Sequence, residues 1–71
     1  MSNKNLEKFG KRIKALRLEH NLTQIQLAEI LDMSPNFIGM IERGERNTTV
    51  ANIFKIARAL NVKPSSLFEG L

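Results

Sequence analysis

Residues 22–44 read LTQIQLAEILDMSPNFIGMIERG, and this stretch decides the fold. Its clearest signal is Ser34 followed by Pro35. A serine side chain can accept a hydrogen bond from an orphan amide of the first turn, and proline at the first helical position sacrifices no hydrogen bond because that N–H is unpaired anyway. The helix opened there runs to Arg43 and stops at Gly44, a glycine placed to take the left-handed conformation that closes a helix. Upstream, Thr23 caps a shorter helix over Gln24 to Leu31, with Leu27, Ala28 and Leu31 inward at i, i+1 and i+4. Asp32-Met33 leaves only a tight turn between them. Two short helices joined in this way match the geometry in which the second enters the major groove of DNA. Corners of this kind also occur in purely structural bundles, so the geometry alone leaves both readings open.

The second helix has two unlike sides. At 100° per residue, Ile38 and Ile41 point inward with Phe37 beside them, while Asn36, Gly39, Met40 and Arg43 share the opposite face and Glu42 lies to the side. An ordinary solvent face would carry Glu and Lys. An asparagine amide can pair bidentately with adenine, a thioether can meet a thymine methyl, and Arg43 can bond a phosphate or reach a guanine. Gly39 would let the helix backbone approach the bases. Helix N-termini add anion-seeking donors, which places Gln24 near a phosphate. Arg46, Asn47 and Thr48, in the loop that follows, can supply donors to the sugar-phosphate backbone, contacts that set register without reading sequence. Met40 is equally readable as a single exposed apolar residue.

Outward from this core the chain is helical throughout. Leu6, Phe9, Ile13 and Leu16 form one apolar stripe and predict a helix from about Asn5 to about Glu19, ended by Asn21. Thr49 caps another, which carries Val50, Ile53, Ala57 and Leu60 at i, i+3, i+7 and i+10 and has Asn61 at its end. Pro64 opens a last short turn through Phe68. No segment alternates with period two over a strand's length. The expectation is an all-α fold, a compact five-helix bundle in one domain over residues 1–71.

Composition narrows the chemistry. There is no cysteine and one histidine, so neither disulfides nor a zinc cage is available, and no cofactor is implied. Eleven Lys and Arg against seven Asp and Glu give a net charge of +4. Lys4, Lys8, Lys11, Arg12, Lys14 and Arg17 face only Glu7 in the first 17 residues, which points to an anionic partner, nucleic acid or a membrane surface. No apolar run approaches the ~20 residues that span a bilayer, and the N-terminus lacks the apolar stretch of a signal peptide, so a cytoplasmic protein is expected. An enzyme is not expected: no nucleophile–base pair or glycine-rich phosphate loop is present, the carboxylates are scattered, and His20 reads as a solvated helix-end residue.

The string Leu22-Thr23-Gln24, Leu27-Ala28, Ser34-Pro35-Asn36-Phe37-Ile38 and Ile41-Glu42-Arg43-Gly44 resembles the phage-repressor and Cro-like helix-turn-helix family, also called the xenobiotic-response-element family. The likeness continues through Ile56-Ala57-Arg58-Ala59-Leu60-Asn61-Val62 and Leu67-Phe68. It implies a lambda-repressor-like fold and a transcriptional regulator of double-stranded DNA. Base contacts would come from Pro35, Asn36, Gly39 and Met40, and phosphate contacts from Gln24, Arg43 and Asn47; Thr23, Ser34, Arg46 and Thr48 are further candidates for the DNA backbone. It further implies an ion pair between Arg17 and Glu42, a homodimer through the C-terminal helices on a two-fold operator, and RNA polymerase as a further partner. Pro35 and Gly39 depart from the family's polar readers, so recognition would lean more on DNA shape. Lys63 stands where a capping Ser or Asp is usual, and Ile25 and Ile30 are apolar where the family is polar. The run from Ile38 to Asn47 looks most like the controllers of restriction–modification systems.

Two rival readings carry their own expectations. An antitoxin-type interaction module, using Ile25, Ile30, Phe68 and Leu71, would bind a protein tightly and select DNA poorly. A membrane-surface helix built on the basic N-terminus is opposed by the core's need for Phe9, Ile13 and Leu16, and by the absence of tryptophan.

Overall fold

In the computed structural model, which describes residues 3–71, four α-helices follow one another: α1 (Lys4–Glu19), α2 (Gln24–Leu31), α3 (Pro35–Glu42) and α4 (Val50–Ala59). The expected fifth helix, Pro64–Phe68, is a short 3-10 helix rather than an α-helix, so the five-helix count becomes four. Lys63 provides no side-chain cap for it, and Ser66 N reaches Lys63 O in the three-residue pattern. α1 starts one residue earlier than its apolar stripe suggested, because Asn3 Oδ1 accepts from Asn5 N at 2.8 Å and from Leu6 N at 3.4 Å. α3 ends at Glu42, with Arg43 as its C-cap. No helix among the described residues is long and apolar enough to cross a membrane.

Every α-helix starts on a side chain and closes on a left-handed residue. Thr23, Ser34 and Thr49 each accept an amide of their first turn, and Thr23 with Gln26 forms a reciprocal capping box. At the other ends Asn21, Asp32, Gly44 and Asn61 have φ between 54° and 75°. They let Leu22 N reach Arg17 O, Met33 N reach Ala28 O, Glu45 N reach Met40 O and Val62 N reach Ala57 O. Three of the donors that close these turns, Leu22, Met33 and Val62, also pack against the core, the apolar contact typical of such endings. Each closure therefore turns the chain and returns it to the interior.

The core is one apolar cluster in which Ile13, Leu27, Ile38, Ile41, Ile56, Leu60 and Leu67 are the largest fully buried side chains. α1 packs on α3 and on the 3-10 helix, and α2 packs on α3 and α4. The C-terminus is tied back to α1: Phe9 and Phe68 stack with centroids 5.2 Å apart, and Arg12 donates to Ser66 O at 2.8 Å and to Glu69 at 2.9 Å. Where α1 crosses α3 the backbones nearly touch at Gly10. A β-carbon there would overlap Ile41 O and lie 2.5 Å from Glu42 O.

Candidate nucleic-acid interface

α3 is oriented by a buried polar cluster. Arg17 Nε donates to Glu42 Oε2 at 2.6 Å, Arg17 Nη2 to Glu42 Oε1 at 3.1 Å, and Arg17 Nη1 to Leu22 O at 2.7 Å. Gln24 Nε2 completes the set by donating to Glu42 Oε1 at 3.0 Å. Glu42 therefore lies in the interior, not to the side of α3, with its side chain 2% exposed against 7% for Arg17. A two-pronged guanidinium–carboxylate contact fixes angle as well as distance. It ties the C-terminal end of α3 to α1 and to the start of α2.

With that side anchored, the opposite side of α3 is largely open. Pro35 and Asn36 are exposed, Met40 is half-buried, and the Arg43 side chain is 55% exposed. Ser34 spends its hydroxyl on Phe37 N at 3.0 Å, so it acts as a cap and holds the first turn in place. Gly39 departs from its expected openness. It is buried, because the Gln24 amide and the Arg43 guanidinium lie over it: a β-carbon at 39 would sit 3.1 Å from Arg43 Nη1 and 3.6 Å from Gln24 Oε1. Arg43 Nε donates to Glu45 Oε2 at 3.0 Å, and that carboxylate, by hydrogen bond and charge, raises the guanidinium pKa above its ordinary value.

The expected backbone contacts divide. The tip of α2 is half-open at Gln24, whose amide is turned onto Glu42 in place of the outside, while Thr23 Oγ1 is occupied by Gln26 N at 3.0 Å. The amides of Gln24 and Ile25 face the helix end without an intrahelical acceptor, as helix geometry requires. In the α3–α4 loop Arg46 and Asn47 are exposed. Thr48 is a correction: its hydroxyl oxygen is buried and finds no hydrogen-bond partner among the described residues, so it is not presented to a phosphate. It borders a cavity of about 140 Å³ beneath the loop, lined also by Leu6, Phe9, Ile53 and Phe68. His20 is exposed and its Nδ1 lies 2.8 Å from Leu16 O.

Two further features of the α1–α3 contact carry no decisive signal in the sequence. Gly10, a glycine inside an apolar helical stripe, signals a close approach but does not say to what. The Leu22 carbonyl, third acceptor of Arg17, carries no side-chain signature at all. Away from α3, Val50 and Phe54 on α4 are 68% and 52% exposed. Phe54 lines a groove of about 540 Å³ with Arg58, Val62 and Pro64.

The helix-turn-helix family HTH_3 matches residues 13–67, which takes in α2, α3 and the whole polar cluster around Glu42. This chain belongs to that family. Control protein C.BamHI of Bacillus amyloliquefaciens is 40% identical over 62 residues, covering 86% of this chain and 76% of its own. Control protein C.SmaI of Serratia marcescens is 38% identical over 61 residues, covering 86% and 73%. Among solved structures, the restriction-modification controller protein C.AhdI from Aeromonas hydrophila superimposes with a TM-score of 0.90 at 39% identity, over 93% of this chain and 100% of that one. In this HTH_3 member the segment between Ser34 and Gly44 is therefore the second helix of the motif.

Proposed function

We propose that this chain is a sequence-selective, double-stranded DNA-binding transcriptional regulator of the restriction–modification controller type, acting in the cytoplasm as a homodimer and not as an enzyme. The observation that carries this reading is the division of α3: Ile38, Ile41 and Glu42 are locked inside, while Pro35, Asn36, Met40 and Arg43 are left at the surface without the Glu and Lys of a solvent face. Asn36 reads a base edge, Met40 and Pro35 add apolar contacts, and Arg46 and Asn47 hold the sugar-phosphate backbone. Gln24 joins them by releasing Glu42. Val50, Phe54 and the groove beside them form the dimer contact. A protomer measuring 29 × 24 × 22 Å suits two half-sites spaced about one helical turn, roughly 34 Å, apart.

The test is selection of bound duplexes from random DNA at a stated salt concentration, followed by titration of the winner. A two-fold symmetric operator is the expected product; no preference for any duplex defeats the reading. Within that assay Asn36→Ala costs ~1–3 kcal/mol on the operator and relaxes one position. Equal losses on operator and random DNA would remove Asn36 from base reading. Arg46→Ala weakens every duplex alike and lowers the slope of log K against log salt by about 0.9; an unchanged slope places Arg46 outside the interface. The exposed Ile25 and Ile30, 58% and 57% accessible, favour a second reading as a protein-interaction module. That reading predicts a tight protein complex and flat DNA selection.

A further inference from the structure

We infer that Arg43 is a base-reading, specificity-determining residue, its guanidinium entering the major groove through the space that Gly39 leaves empty. The inference rests on the regulator reading above and gives Arg43, for which family resemblance implies a backbone contact, the role of a reader instead. Side chains on an α-helix lean toward its N-terminus, so residue 43 extends over residue 39 one turn earlier. The structure has this arrangement: Arg43 Nη1 stands 3.1 Å from where a Gly39 β-carbon would be. A longer residue at 39 would fill that place and force the guanidinium outward. Glycine admits it to the middle of α3, on the face that carries Asn36.

The orientation of the group suits a base. Glu45 holds Nε at 3.0 Å, which leaves the edge formed by Nη1 and Nη2 as the presenting fork. That fork is the donor pair that matches O6 and N7 of guanine. Glu45 takes part as a positioning residue, fixing the rotation of the guanidinium from outside the contact. Residues 36 and 39 are separated by about 4.5 Å of helix rise, between one and two base-pair steps of about 3.4 Å. The guanine read by Arg43 therefore lies one or two base pairs from the base read by Asn36.

The experiment is competition binding at fixed salt, using the selected operator, its single-base variants and a random duplex. It compares the intact protein with Arg43→Ala, Arg43→Lys and Gly39→Ala, each checked for folding by its thermal transition. The expected result for Arg43→Ala is loss of preference at one G·C pair by about 10- to 100-fold, with other positions retained. Arg43→Lys does not restore it, since an ammonium offers charge without the planar fork. Gly39→Ala reduces preference at the same pair although its helix is no less stable. Arg43→Ala weakening all duplexes by one factor, with Arg43→Lys restoring them, would make Arg43 a phosphate clamp and overturn the inference while the regulator reading stands. Undiminished G·C preference in Gly39→Ala would also overturn it. An intact protein with no preference at all overturns the regulator reading and this inference together.

Discussion

Glu42→Ala lowers folding stability by about 3–5 kcal/mol, the cost of stranding a buried charge. Arg17 is 7% exposed at its side chain and would keep only Leu22 O as acceptor, while the Gln24 amide would lose its acceptor as well. The size of the effect matters because a chain of 71 residues has roughly 4–11 kcal/mol of stability in all, at about 0.05–0.15 kcal/mol per residue. At about 4–8 °C per kcal/mol, the thermal midpoint falls by at least ~12 °C. The double variant Arg17→Met with Glu42→Leu should be more stable than either single change, because no charge is then left buried and the volume is kept. Urea titrations of the three variants check this through their midpoints at constant slope. A Glu42→Ala midpoint within ~1 kcal/mol of the parent would show that the cluster is solvated in solution and does not orient α3.

Gly10→Ala destabilises by about 1–2 kcal/mol, opposite in sign to what helix propensity alone requires. In an exposed helix the exchange would add about 0.5–1 kcal/mol, since glycine loses more backbone freedom on folding. Here the new methyl meets backbone: it overlaps Ile41 O and lies 2.5 Å from Glu42 O, and neither atom can rotate away. Relief requires α1 and α3 to separate by several tenths of an ångström, which stretches the Arg17–Glu42 contact, 2.6 Å at its shortest, on the same interface. Overpacking of a rigid contact commonly costs ~1–3 kcal/mol or more, and this exceeds the propensity gain. Thermal melting decides the sign. A neutral or raised midpoint would mean the two helices cross less closely than the structure has them.

These two residues show where sequence reading reaches its limit. Ser34-Pro35, Thr23, Thr49 and Gly44 were legible because a cap is local chemistry, satisfied by amides and carbonyls within a few residues. Ile38 and Ile41 were legible by period. Asn3 was missed as a cap because the helix it opens begins before its first apolar residue. Pro64–Phe68 is tied to Arg12 and Phe9, more than fifty residues upstream, and no local signal announces those contacts. Gly39 and Thr48 were misplaced for a like reason: each is covered or turned inward by side chains from other elements, which no spacing along the chain reports. The Arg17–Glu42 contact came from family resemblance alone. The turn of Gln24 onto Glu42 came from neither resemblance nor pattern.

The partition of α3 has a consequence for the history of such proteins. The side chains that hold the helix in place, Ile38, Ile41 and Glu42, are distinct from those proposed for a groove, Pro35, Asn36 and Met40. If the proposed regulator reading holds, exchanges at the exposed Pro35 and Asn36 leave the interior untouched, so a duplicated copy would acquire a different target without passing through an unfolded intermediate sequence. On that reading targets can diverge readily on this scaffold, whereas Arg17 and Glu42 are tolerated best when exchanged together.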